Sequence, residues 1–169
     1  MDFTECTLIN IKTRISLNKS VVFKIKVLSL PMENKKRLNM EKSIVKYLGN
    51  FRVEATYETS GQTLTTDAGK VSGGLGEYAT PADILAQSLA ACALTTIAMR
   101  AFLTGTYAVV GEIVENPETM KIERIDIEFH VKGNLDDKMR KKVEQFAHKG
   151  CYVGNSLTTE KNFTFVYED

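Results

Sequence analysis

Cysteine and histidine are scarce in this chain of 169 residues: Cys6, Cys92 and Cys151 are its three cysteines, His130 and His148 its two histidines. The five do not make up the four-ligand pattern of a zinc site, and three cysteines do not supply a disulfide framework. No metal or cofactor is therefore expected. Charge of either sign is not in excess, since the formal net charge is +1, so nothing in the total calls for nucleic acid or an anionic membrane surface as partner. The first residues lack both an uninterrupted apolar stretch and a small-residue cleavage site, which argues against a secretory signal; with so few cysteines, a reducing cytoplasm is the expected compartment. The longest uncharged run, Ile84 to Met99, is 16 residues and contains Gln87, Ser88, Thr95 and Thr96. A bilayer span needs roughly 20 mostly apolar residues, so no membrane segment is expected. Internal repeats and low-complexity tracts are lacking too.

What remains is enough chain for one globular domain. Charge divides it unevenly: residues 1–39 hold eight Lys and Arg against three Asp and Glu, and residues 40–169 hold fourteen against eighteen. Residues 1–39 are read as an N-terminal extension, and 40–169 as the domain. Within the domain, SIVKYLG, FRVEATYE and TLTTD read as a three-strand meander separated by turns at Gly49-Asn50 and Ser60-Gly61. AGKVSGGLGEYAT is a glycine-rich loop without the GxGxxG or Walker spacing of a phosphate cradle. YAVVGEIVE and KIERIDIEFHVKG are two further strands joined through Asn116-Pro117, NLDDKMRKKVEQFAHKG is an amphipathic helix burying Met139, Val143, Phe146 and Ala147, and NFTFVYE closes the chain as a strand.

Between loop and strands lies TPADILAQSLAACALTTIAMR, the most apolar stretch. Thr80 suits the N-cap, Pro81 the first helical position and Asp83 the first turn, and Gly105 suits a C-terminal turn after about Thr104. A helix apolar on nearly every face must be covered on nearly every face, and a domain with two main helices has little to cover it with; a second subunit is the expected cover. Cys92 lies mid-helix, on a stripe with Leu85, Ser88, Thr95, Thr96 and Met99. It reads either as a small buried hydrophobe or as a thiol held for chemistry. Cys151 follows Gly150 after the amphipathic helix, and CYVGNSL makes a short helical turn with the cysteine at its start. Exposed N–H groups there would lower the pKa of the Cys151 thiol; the other reading is an incidental loop cysteine.

YLGNFRVEATYETSGQTLTTD, GGLGEYATPADILAQSLAAC and CYVGNSL together resemble the OsmC/Ohr family, named for osmotically inducible protein C and organic hydroperoxide resistance protein, in its OsmC-like branch. The resemblance spans about residues 44–168. It implies an α+β intertwined homodimer with antiparallel sheets wrapped around central helices and sites at the subunit interface. By position it makes Cys92 the thiol that attacks an organic hydroperoxide and Cys151 the one that closes a disulfide with it, later reduced by a dithiol such as a lipoyl protein. In Ohr-type members an arginine in the first hairpin turn and a glutamate after the helix-start proline assist the thiol. Thr59 and Ala82 stand there in this chain, and Tyr152 stands where a proline usually follows the second cysteine. Arg52, Glu77, Asp83 and Arg100 are candidate replacements for the assisting pair. The same departures also favour a second reading, a non-enzymatic protein that holds a small apolar or lipid ligand in the interface cleft.

Overall fold

A computed structural model describes residues 42–168; the extension, the proposed start at Met40 and Cys6 lie outside the described residues. Six strands and three helices follow one another as β1 (Ser43–Gly49), β2 (Arg52–Tyr57), β3 (Gln62–Asp67), α1 (Pro81–Ala101), β4 (Tyr107–Asn116), β5 (Lys121–Lys132), α2 (Asp137–Lys149), α3 (Tyr152–Ser156) and β6 (Glu160–Glu168), with one 3-10 turn at Lys70–Ser72 inside the glycine-rich loop. They form an α+β architecture with two three-stranded sheets, ordered β1-β2-β3 and β4-β5-β6.

The meander forms in the expected antiparallel register, with Ala55 of β2 opposite both Val45 and Leu64. In the second sheet β4 and β5 are antiparallel, but β5 and β6 run parallel, with Phe129 opposite Phe165. The antiparallel expectation is thus corrected for this one pairing. Parallel neighbours need a crossover, and α2 with α3 is that crossover. Strand β5 buries Ile125, Ile127, Phe129 and Val131 in strict alternation. Ile122 is out of phase with them, and the register shift beside it, where Val114 faces Arg124 but Glu115 faces Ile122, lets it reach the same core.

Helix α1 starts as its sequence predicts. The Thr80 hydroxyl accepts from the Asp83 N–H at 3.2 Å, and the Asp83 carboxylate accepts from the Thr80 N–H at 2.8 Å, a complete capping box. It ends earlier than expected: Phe102 takes the left-handed C-cap position (φ 55°), ahead of a second left-handed residue at Gly105, and its N–H bonds Ala98 O at 2.9 Å. The return to β4 at Tyr107 needs residues 102–106 as a connection, so the helix stops about one turn before Thr104. By length and composition alone α1 would pass for a membrane span, 21 residues with mean hydropathy 1.5. Its packing shows a core helix: Ala86, Leu89, Ala90, Ala93 and Ile97 are buried in one cluster with Ile125, Phe129, Val143 and Cys151. The opposite face, with Gln87, Ala91, Thr95, Ala98 and Met99, is exposed.

On the outer face of the second sheet, His130 gives its two ring nitrogens to Glu168 and Glu128, each at 2.8 Å, and stacks on Tyr107 with ring centroids 4.4 Å apart. Bonds to the Glu168 carboxylate first, and to Glu128, raise the imidazole pKa above its ordinary value.

Candidate functional site

Two thiols separated by 59 positions meet because α1 and the α2–α3 crossover pack together. Cys92 is half-buried at the middle of α1, and Cys151 is fully buried as the N-cap of α3. Gly150 makes the approach possible. A Cβ built there would lie 2.4 Å from the Thr96 methyl and 2.9 Å from Phe146 O, so only glycine lets the chain pass this close to α1. The Thr96 hydroxyl shares its proton between Cys92 O, at 3.0 Å on its own helix, and Gly150 O at 3.3 Å across the gap. One residue later, Cys151 Sγ accepts from the Gly154 N–H at 3.2 Å and lies 3.9 Å from Leu89 O.

The two sulfurs have opposite electrostatic settings. Burial pushes the Cys92 thiol up, but the hydrogen bond from the Cys151 thiol and those from the Val153 and Tyr152 backbone N–H groups outweigh it, and Cys92 is held below the ordinary thiol pKa. Burial pushes Cys151 up, and its bond to Cys92 pushes it further, against the opposing Gly154 N–H. The expectation that the start of the short helix would lower the pKa of Cys151 is therefore corrected. The Tyr152 N–H bears on Cys92 and the Val153 N–H on both sulfurs, while burial first of all holds Cys151 above the ordinary thiol pKa.

Of the candidate assisting residues, Arg52 and Glu77 meet each other. Arg52 Nη2 lies 2.6 Å from Glu77 Oε2 and 2.9 Å from Asp67 Oδ2, with its guanidinium 4.6 Å over the Tyr78 ring. Asp67, fully buried and missed in the sequence, accepts the Glu77 N–H at 3.2 Å as well, and its pairing with Arg52 holds its carboxyl below the usual range. The trio ties the glycine-rich loop to β2 and β3. Asp83 is committed to the α1 cap, and Arg100 sits 5.8 Å from the centre of the Phe146 ring. Thr59 lies in the exposed turn between β2 and β3, and Ala82 in the first turn of α1. Among the described residues, neither thiol is hydrogen-bonded to a carboxylate or guanidinium; none of Arg52, Glu77, Asp83 or Arg100 reaches them within one chain. Nor do the described residues include a cluster able to hold a metal ion. The contributions of Tyr152, Val153 and Thr96 left little trace in sequence, since two act through backbone atoms; only the succession Gly150-Cys151 hinted at a tight approach.

A family model described as OsmC-like protein matches residues 74–166. The fold is shared with solved structures. One is named for an osmotic stress induced and detoxification response protein of Psychrobacter arcticus: 30% identity, 76% of this chain and 96% of the other covered, TM-score 0.69. An OsmC-like protein of Mycoplasma pneumoniae is 17% identical over 76% and 97% of the two chains (TM-score 0.64). An organic hydroperoxide resistance protein OsmC of Legionella pneumophila is 18% identical over 77% and 98% (TM-score 0.57). Among curated proteins no sequence matches. With more than half its length matched by the family model, and a relative at this identity covered almost end to end, the chain belongs to the OsmC-like protein family.

Proposed function

We propose that this protein reduces organic hydroperoxides in oxidative or osmotic stress defence, as a thiol peroxidase in which Cys92 attacks and Cys151 resolves. The observation that carries the reading is the meeting of two free thiols, Cys92 half-buried at the middle of α1 and Cys151 buried at the start of α3, with Cys92 held below and Cys151 above the ordinary thiol pKa. That is the division of labour a two-thiol peroxidase needs. The Cys92 thiolate takes the terminal oxygen of ROOH; the O–O bond breaks, the alkoxide gains a proton and leaves as ROH, and Cys92 becomes a sulfenic acid. Cys151 then attacks that sulfur, water leaves, and a Cys92–Cys151 disulfide forms before further oxidation. An external dithiol, such as a lipoyl group, takes up the oxidising equivalents by thiol–disulfide exchange. Similar proteins named for organic hydroperoxide resistance in Legionella pneumophila and for an osmotic stress induced and detoxification response in Psychrobacter arcticus support the same role.

The working form is an intertwined homodimer. Support comes from the uncovered face of α1 and from the first sheet, where Val45 is 66%, Tyr47 67% and Leu48 54% exposed within one chain. Its sites lie at the subunit interface, where charges of the second subunit can approach the thiols.

Cumene hydroperoxide, added in one equivalent with thiols titrated before and after, tests the reading. Wild type should lose two thiols, Cys92→Ser should consume no peroxide, and Cys151→Ser should react once and leave a sulfenic acid that dimedone labels. If neither substitution changes consumption, or if wild type forms no Cys92–Cys151 disulfide, the reading fails. That neither thiol has a charged partner among the described residues favours one other function, binding of a small apolar or lipid ligand in the cleft. Unchanged thiols together with measurable fatty-acid binding would select it.

A further inference from the structure

We propose that Thr96 is the positioning residue for the resolving thiol: its hydroxyl ties the chain entering Cys151 to the turn of α1 that carries Cys92. Its use rests on the peroxidase reading; its geometry does not. Thr96 Oγ1 lies 3.0 Å from Cys92 O and 3.3 Å from Gly150 O. The first of these bonds is what a threonine inside a helix ordinarily makes, turning its hydroxyl back to the carbonyl four residues earlier. Thr95 does the same to Ala91 O at 2.8 Å, and among the described residues its hydroxyl has that acceptor alone. The second bond belongs to Thr96: it spans 54 positions and takes hold of the carbonyl immediately before Cys151. One hydroxyl thus holds a carbonyl from each cysteine's own segment.

Gly150 is the C-cap of α2. Its N–H bonds Phe146 O at 3.0 Å, but its carbonyl, like the last carbonyls of any helix, has no partner in its own helix. The preceding carbonyl, Lys149 O, takes the Asn155 side-chain amide at 3.0 Å, and Cys151 O takes the Asn155 N–H at 2.9 Å. Asn155 therefore secures the junction to α3, and Thr96 secures it to α1. The Thr96 methyl acts in the opposite sense to its hydroxyl, for a Cβ at position 150 would lie 2.4 Å from it. With both groups on one branched Cβ, the hydroxyl draws the chain in and the methyl stops it. Residue 151 follows at once, so the same side chain decides where the Cys151 sulfur arrives. Joining two cysteines needs their Cβ atoms roughly 3.5–4.5 Å apart, a narrow range that a loosened junction would visit less often.

A readout that needs no hydroperoxide is the balance between dithiol and disulfide in the full chain. It is set in buffers of reduced and oxidised dithiothreitol, stopped with acid, and read by mass as the fraction carrying a Cys92–Cys151 bond. Thr96→Val keeps the methyl and loses the donor, and should move the balance toward the dithiol about fivefold, roughly 20 mV for a two-electron couple. Thr96→Ser keeps the donor and should stay at the wild-type balance. Thr95→Val loses the same hydroxyl and the same backward bond one position away, and should not move it. Where Thr96→Val melts abnormally, Thr96→Ala, which favours the helix, should give a shift in the same direction. An unmoved balance in Thr96→Val and Thr96→Ala would overturn the proposal, as would an equal shift in Thr95→Val or in Thr96→Ser. If the shift is found but wild type consumes no cumene hydroperoxide, the peroxidase reading falls and the tie stands; consumption with an unmoved balance removes the tie alone.

Discussion

Sheet β4-β5-β6 seals its central strand: Ile125, Phe129 and Val131 are 0% exposed and Ile127 1%. In sheet β1-β2-β3 no apolar side chain is buried, and Asp67 at its end is the only buried residue. Strand number and apolar content do not separate the two, since Ile44, Val45, Tyr47, Leu48, Val53 and Leu64 give the first sheet its own apolar stock. The helices do. Among the described residues, α1 packs on β4 and β5 and α2 packs on α1, so the second sheet receives a helical layer that these helices do not give the first. One half of the domain is thus complete as drawn, and the other supplies a surface for something further to complete.

The largest effect should follow from damaging the finished half. Phe129 packs between Phe163 and Phe165, with both ring centroids 5.2 Å away, and Phe129→Ala should cost about 3–5 kcal/mol, a large fraction of a typical domain's stability. Urea denaturation would show the loss at any protein concentration. The contrast between the sheets breaks if Val45→Ala costs as much in a chain that sediments as a monomer.

Next in size is a change on the unfinished side. Ala91 lies on the exposed face of α1, and Ala91→Lys should place an unpaired charge in the proposed subunit contact, weakening dimerisation about a hundredfold. Sedimentation equilibrium reads this directly, and a folded wild-type monomer at micromolar concentration would remove the dimer from the argument.

A smaller effect belongs to the outer face of the finished sheet, where His130 links β5 to β6 through Glu128 and Glu168. Because folding raises the imidazole pKa from 6.5, the stabilisation is complete below that value and is lost as pH rises through the higher folded value. The denaturation midpoint should decline across that window, and His130→Gln should flatten the decline. Smallest of all is removal of residues 1–39: a chain beginning at Met40 should melt within a degree or two of the full one, and a larger fall would show that the extension supports the domain.

Much of the finished half could be read from the sequence because its signals are local. Alternation marked β5, the 3.6-residue period marked α2, and Thr80, Pro81 and Asp83 marked the start of α1. The end of α1 was not legible, since the residue that turns the chain is Phe102, which carries no preference for left-handed backbone. The parallel pairing of β5 with β6 was also hidden. An alternating strand reads the same in either direction, and only the crossover decides. At the site, the positions of Cys92 and Cys151 were visible, but their relative acidity was inverted for Cys151. Burial of Cys151 against α1 settled that, and burial by a helix about 60 residues away leaves no mark on the local sequence. Arg52 and Glu77 were singled out as separate charges; Asp67, which joins them, looked like the end of a polar strand.

The contact between Thr96 and Gly150 also limits which sequences this fold can admit. The threonine methyl occupies the space a larger residue at 150 would need, and its hydroxyl holds the Gly150 carbonyl at 3.3 Å. The two positions, 54 apart in the chain, therefore cannot drift independently. Alanine at 150 would meet the Phe146 carbonyl as well as the Thr96 methyl, so a smaller residue at 96 relieves only one of the two contacts. Thr96→Ala should therefore recover only part of the stability that Gly150→Ala costs, a difference that thermal denaturation of the single and paired variants would read.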